Sequence, residues 1–220
     1  MLRTMMAAVL GLGLVAAAPQ LAPDRVRTVG NIAVAAAALD GRDALKVTDL
    51  GPPFGQTDKL VVIPGTDFGD GEIEAWVAGA PAAEGASAGA RGFVGLMFRL
   101  SADGRTGEGF YIRPTNGRAE DQERRNHAVQ YISAPDWPWE RLRRETPSRY
   151  ESYADMEPGH WVRMRIVVKG DKARLFLGDA PQPALIVNDL KGGADRRGAV
   201  ALWIGPGTVA HFSGLTIRTE

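Results

Sequence analysis

Cysteine is absent from the 220 residues, so the chain has neither a disulfide framework nor thiolate chemistry, and its stability must come from an apolar core. Net charge is absent as well. The 26 Lys and Arg residues cancel 26 Asp and Glu, which leaves no excess for the phosphate neutralisation that nucleic-acid binding requires. The three histidines, His127, His160 and His211, are scattered without the spacing of a zinc site. The one long apolar run, MMAAVLGLGLVAAA after Arg3, is too short for a comfortable bilayer span and ends in small residues. This pattern predicts a signal peptide over residues 1–17, cut between Ala17 and Ala18, with Val15 and Ala17 as the small recognition residues. Lack of cysteine excludes a lipoprotein anchor. The expectation is an exported bacterial protein, periplasmic or secreted, with no membrane attachment after processing.

What remains, about 200 residues, suits one domain with a full core. Residues 18–39 read as a linker and N-terminal segment ending in a first strand, and residues 40–220 as the domain proper. Short runs that alternate apolar and polar residues recur along it, separated by Gly, Pro, Asn and Asp, the pattern of an all-β sandwich or barrel. In GFVGLMFRL, Val94, Leu96, Phe98 and Leu100 share one face while Phe93, Gly95, Met97 and Arg99 share the other. In GFYIRPTN, Phe110 and Ile112 are predicted to enter the core and Tyr111 and Arg113 to face outward. In NHAVQYIS, Val129 and Tyr131 share a face with His127, and Gln130 takes the opposite one. A long insertion, residues 134–157, carries Trp137, Trp139, Tyr150 and Tyr153 and reads as a lid, with a helical turn at WERLRRE.

The succession FGDGEIEAWVAG, GFVGLMFRL, GFYIRP, HWVRMRIVVKGDKARLFLGD and GAVALWIGPGTVAHFSGLTI resembles the concanavalin A-like lectin and glucanase jelly roll. Within it, the sequence is similar to laminin-G-like exported bacterial domains, including the 3-keto-disaccharide hydrolase family. The resemblance covers roughly residues 40–219. It implies an all-β, two-sheet antiparallel jelly-roll sandwich whose concave sheet binds glycans. It leaves activity open, since lectins, glycosidases and adhesion modules share the fold. The outward Glu, Asp, Glu triplet of laminarinase-type glycosidases is not reproduced; Glu72 and Glu74 are its nearest approach.

Alternation carried through the strands collects Glu74, Arg99, Tyr111, Arg113, Gln130, Arg165 and Trp203 on one nominal face. Guanidinium and amide groups grip hydroxyls, and aromatic faces stack on sugar rings. These residues are the candidate binding site for a carbohydrate or other small polar ligand, with Arg113 and Gln130 side by side at its centre. The same side chains would also satisfy one another as cross-strand pairs on a solvated face. No cofactor is expected; Asp67 and Asp70 in the TDFGDG turn offer oxygen ligands for Ca²⁺ but lack a full calcium loop. A sugar-binding domain, a glycoside-cleaving enzyme and an adhesion module are the alternatives, and no catalytic residue is assigned.

Overall fold

The computed structural model describes residues 21–83 and 88–220; the expected signal peptide lies outside the described residues. Strands are numbered in chain order: β1 (Arg27–Val29), β2 (Ile32–Leu39), β3 (Arg42–Asp49), β4 (Leu60–Phe68), β5 (Gly71–Pro81), β6 (Val94–Leu100) and β7 (Gly107–Ile112). They continue with β8 (Val129–Ala134), β9 (Glu151–Ser152), β10 (Val162–Lys169), β11 (Lys172–Leu177), β12 (Leu185–Val187), β13 (Gly198–Ile204) and β14 (Thr208–Thr219). Two short helices, α1 (Gln122–Asn126) and α2 (Trp139–Glu145), interrupt the series. The strands form two seven-stranded antiparallel sheets: a front sheet in the order β1-β4-β13-β6-β7-β8-β9 and a back sheet in the order β12-β11-β10-β5-β14-β3-β2.

The alternation seen in the sequence places the core between these sheets. Val94, Leu96, Phe98, Phe110, Ile112, Val129 and Tyr131 of the front sheet meet Leu45, Val47, Ile73, Val77, Met164, Ile166 and Phe212 of the back sheet. Each buried Leu, Ile or Phe contributes ~1.5–3 kcal/mol. Two tight hairpins are written in the chain. Asp40 and Gly41 both have positive φ (49° and 74°) between β2 and β3, and Gly170 (φ 57°) turns β10 into β11, as two-residue hairpin loops require.

Residues expected to be mainly linker are part of the fold. β1 pairs with β4 at the edge of the front sheet, and β2 pairs with β3 at the edge of the back sheet. The sandwich therefore begins before residue 40.

The long insertion is also built in. Helix α2 forms where straight-chain residues favour it. It is supported by the Arg141–Glu145 pair at 3.0 Å and closed by Thr146, whose Oγ1 donates to the Leu142 carbonyl. Leu142, Tyr150 and Met156 join the main core, and β9 adds a strand beside β8. The segment thus completes the edge of the front sheet. Among the described residues, no helix is long and apolar enough to cross a membrane.

Candidate functional site: a row across the front sheet

One row of register partners crosses the outer face of the front sheet. Leu60 faces Trp203, Trp203 faces Gly95, Gly95 faces Tyr111, Tyr111 faces Gln130, and Gln130 faces Glu151. Gly95 sets the shape of this row. With no side chain between them, the Trp203 and Tyr111 rings approach to 4.7 Å between centroids at 36°. A Cβ at Gly95 would stand 2.6 Å from Tyr111 Cβ and 2.3 Å from the Phe110 carbonyl oxygen. Phe93 meets Tyr111 edge-on at 6.1 Å.

The aromatic end is walled by two loops that share an anchor. Trp203 Nε1 donates to the Gln56 carbonyl at 2.7 Å. Lys59 and Asp49 form a buried ion pair at 2.7 Å, and Asp49 also accepts from the Gly207 amide at 2.6 Å. This pair fixes both the 51–58 loop, which carries Phe54 and Gln56, and the turn that carries Pro206.

Past Tyr111 the row becomes polar. Arg113 Nη2 donates to the Tyr111 hydroxyl at 2.8 Å and to Gln130 Oε1 at 3.2 Å, while Nη1 donates to the His127 carbonyl at 2.8 Å. Gln130 Nε2 donates to the Tyr131 and Tyr150 carbonyls at 2.9 and 3.1 Å. Glu151 accepts two bonds from Arg143, at 2.9 and 2.7 Å, and lies 2.9 Å from His127 Nδ1. The Arg113 and Arg143 guanidinium groups stand 5.6 and 4.6 Å from the Trp139 ring, within cation–π range. Burial pushes the Tyr111 phenol up to about 12, against the opposing pull of the Arg113 charge. Tyr111 is therefore a neutral hydroxyl at ordinary pH. It accepts from Arg113 and keeps its own proton.

These residues line two depressions that share Gly89, Phe93 and Trp139. The aromatic one, about 340 Å³, is lined by Phe54, Tyr111, Ile132, Trp203 and Pro206 among others. The cationic one, about 250 Å³, is lined by Arg91, Arg113, Asn116, Arg124, His127 and Arg143. Together they form a groove within the ~300–1,000 Å³ range of small-ligand sites.

Four of the residues singled out in the sequence come together here: Tyr111, Arg113, Gln130 and Trp203. Three do not. Arg99 is fully buried, because a bulge between β6 and β13 inserts an extra residue and inverts the alternation. Arg99 takes φ 53° and turns inward, and Leu100 moves to the outer face in its place. The guanidinium donates to the carbonyls of Gly69, Gly170 and Gly193 and pairs with Asp70 and Glu108. It clamps three turns at one end of the sandwich. Glu74 and Arg165 lie on the back sheet, where they face each other in register; Arg165 also pairs with Glu72 at 3.1 Å and covers the Phe176 ring. Parity gave their face correctly but not their sheet.

The carboxylates considered for calcium are engaged by arginine: Asp67 by Arg197 at 3.0 Å and Asp70 by Arg99 at 3.2 Å. Reasoning from strands missed Arg91, His127, Trp139, Arg143 and Glu151. Strand parity groups His127 with the core side, yet it caps α1 rather than extending β8, so its ring turns to the groove.

Two antiparallel sheets in this order, stacked on one core, define a concanavalin A-like jelly-roll sandwich. The fold is shared with the carbohydrate-binding module CBM66 from Bacillus subtilis (13% identity, TM-score 0.53, covering 86% of this chain and 95% of that one). It is shared also with a cellulose-induced protein (14%, TM-score 0.52, 91% and 90%). A Bacillus subtilis protein of unknown function with a galectin-like fold aligns at 12% identity with TM-score 0.50, over 87% and 88% of the two chains. At such identities the likeness speaks for the fold. No protein-family model matches the sequence, and no curated protein does.

Proposed function

We propose that this is an exported carbohydrate-binding sandwich whose ligand lies along the groove on the outer face of the front sheet. The observation that carries the reading is the aromatic pair Trp203–Tyr111, closed over Gly95 and continued by Phe93 and Trp139 along the groove. Trp203 and Tyr111 are 7% and 3% exposed and form the buried floor, so the half-buried Phe93 and Trp139 beside them offer the apolar faces for the C–H face of a pyranose ring. The Tyr111 hydroxyl and the Arg113 guanidinium beside it supply the directional hydrogen bonds that fix a sugar's orientation. A sugar-binding module among the structures of similar fold agrees with this reading. The test is a glycan array probed with the protein, followed by analysis of any bound sugar for cleavage. Binding without cleavage is the expected result. Hydrolysis would shift the reading to a glycoside-cleaving enzyme, and an empty array would leave only a structural or adhesion role.

A further inference from the structure

We infer that the cationic end of the groove seats the anion of an acidic sugar residue, a carboxylate or a sulfate ester. This rests on the sugar-binding reading above and narrows its ligand. Four arginines line the 250 Å³ depression, Arg91, Arg113, Arg124 and Arg143, and among the described residues no acidic side chain lines it. Only Arg143 has a carboxylate partner among the described residues, namely Glu151. Arg91 donates to the Ala88 and Ala90 carbonyls. Arg124 reaches only the Thr115 carbonyl and Asn116 Oδ1, at 3.5 and 3.4 Å.

Arg113 is the decisive member. It is 5% exposed, and its three hydrogen-bond partners among the described residues, the His127 carbonyl, the Tyr111 hydroxyl and Gln130 Oε1, are all uncharged. A buried guanidinium without a counter-ion costs several kcal/mol of desolvation. Proteins retain such a charge where something negative arrives to compensate it. Partial burial and the Arg124 and Arg113 charges also lower the Arg91 guanidinium from its ordinary value, as expected where cations crowd without balance.

Planar guanidinium groups form paired hydrogen bonds with a carboxylate or sulfate oxygen pair. Trp139 is shared by both depressions. A sugar stacked in the aromatic half therefore presents a ring substituent to the arginine half, and an anionic substituent is the one these side chains are built to hold.

Matched pairs of glycans test this: tetragalacturonate against tetragalactose, and a chondroitin sulfate tetrasaccharide against its desulfated, carboxyl-reduced form, measured by calorimetry and on an array. The expected result is a preference of about tenfold or more for at least one acidic member. That preference should weaken as salt rises. It should fall to near parity in Arg91→Ala and Arg113→Gln, while Arg174→Ala on the back sheet leaves it intact. Arg91 is a half-buried surface residue, so its variant remains informative if Arg113→Gln fails to fold. Equal or better binding of neutral sugars would overturn the anion assignment and leave sugar binding standing. So would an acid preference untouched by the Arg91 and Arg113 variants. Failure to bind any glycan, acidic or neutral, would overturn both.

Discussion

Trp203 and Tyr111 face each other across a strand that has no side chain between them. Their rings are 4.7 Å apart because Gly95 is the register partner of both. The glycine thus does for the groove what no larger residue can, since its missing Cβ is the space the rings occupy.

Gly95→Val is the first expected disruption. The new side chain meets Phe110 and Tyr111 at under 3 Å, so the rings must separate. We expect a loss of about 1–3 kcal/mol in urea unfolding from overpacking and at least tenfold weaker glycan binding. Near-ultraviolet circular dichroism should report the broken pair. A variant with unchanged stability and spectrum would show that the rings do not depend on the glycine.

Gln130→Ala should destabilise the fold, contrary to what the strand pattern alone implies. Gln130 is fully buried, and its amide holds the Tyr131 and Tyr150 carbonyls as well as Arg113. Leaving those groups unpaired costs about 1–3 kcal/mol. The midpoint of chemical denaturation measures it; a change within error would place water or a rearranged side chain in the amide's role.

Arg99→Ala separates scaffold from site. It strips the buried Glu108 of its ion-pair partner and releases three turns, at a cost of about 3–5 kcal/mol. Under conditions where the variant stays folded, glycan affinity should match the wild type. A selective loss of affinity would place Arg99 in the binding site after all.

How much of this was legible in the sequence differs from residue to residue. Alternation in GFVGLMFRL and GFYIRPTN suffices for the core partners Leu96 and Phe110 and for outward Tyr111. Because β7 and β8 are joined in sequence and paired in space, Arg113 and Gln130 could be placed together. Arg99 could not be placed correctly, since a bulge depends on the partner strand and leaves no trace in the alternation of its own. Glu74 and Arg165 shared the right parity, but the sheet to which β5 and β10 belong is set by long-range pairing. Trp139, Arg143 and Glu151 sit on a short helix and a two-residue strand, too brief for any period to orient them.

Alkaline pH should unfold the protein through its buried tyrosines. Burial lifts the Tyr111 phenol from 10 to about 12, and Tyr131 and Tyr150 are raised as well. The native state therefore holds protons that the unfolded chain releases above pH 10. This contribution is fully present below pH 10 and is lost as pH rises through about 12, by ~2–3 kcal/mol for Tyr111. Ultraviolet absorbance of phenolate, followed with circular dichroism, should show these tyrosines ionising together with unfolding. Their ionisation near pH 10 in a folded protein would contradict the burial.

The binding face itself is tested most directly by nitrogen-edited NMR on the indole N–H signals of the five tryptophans, titrated with the matched acidic and neutral tetrasaccharides. Trp203 and Trp139 line the groove, whereas Trp76 and Trp161 lie by the back sheet under Arg42. The expected result is saturable movement of the Trp203 and Trp139 signals, with Trp76 and Trp161 unmoved. Movement confined to Trp76 and Trp161, or no movement of any indole with any of the sugars, would contradict a sugar site on the front sheet.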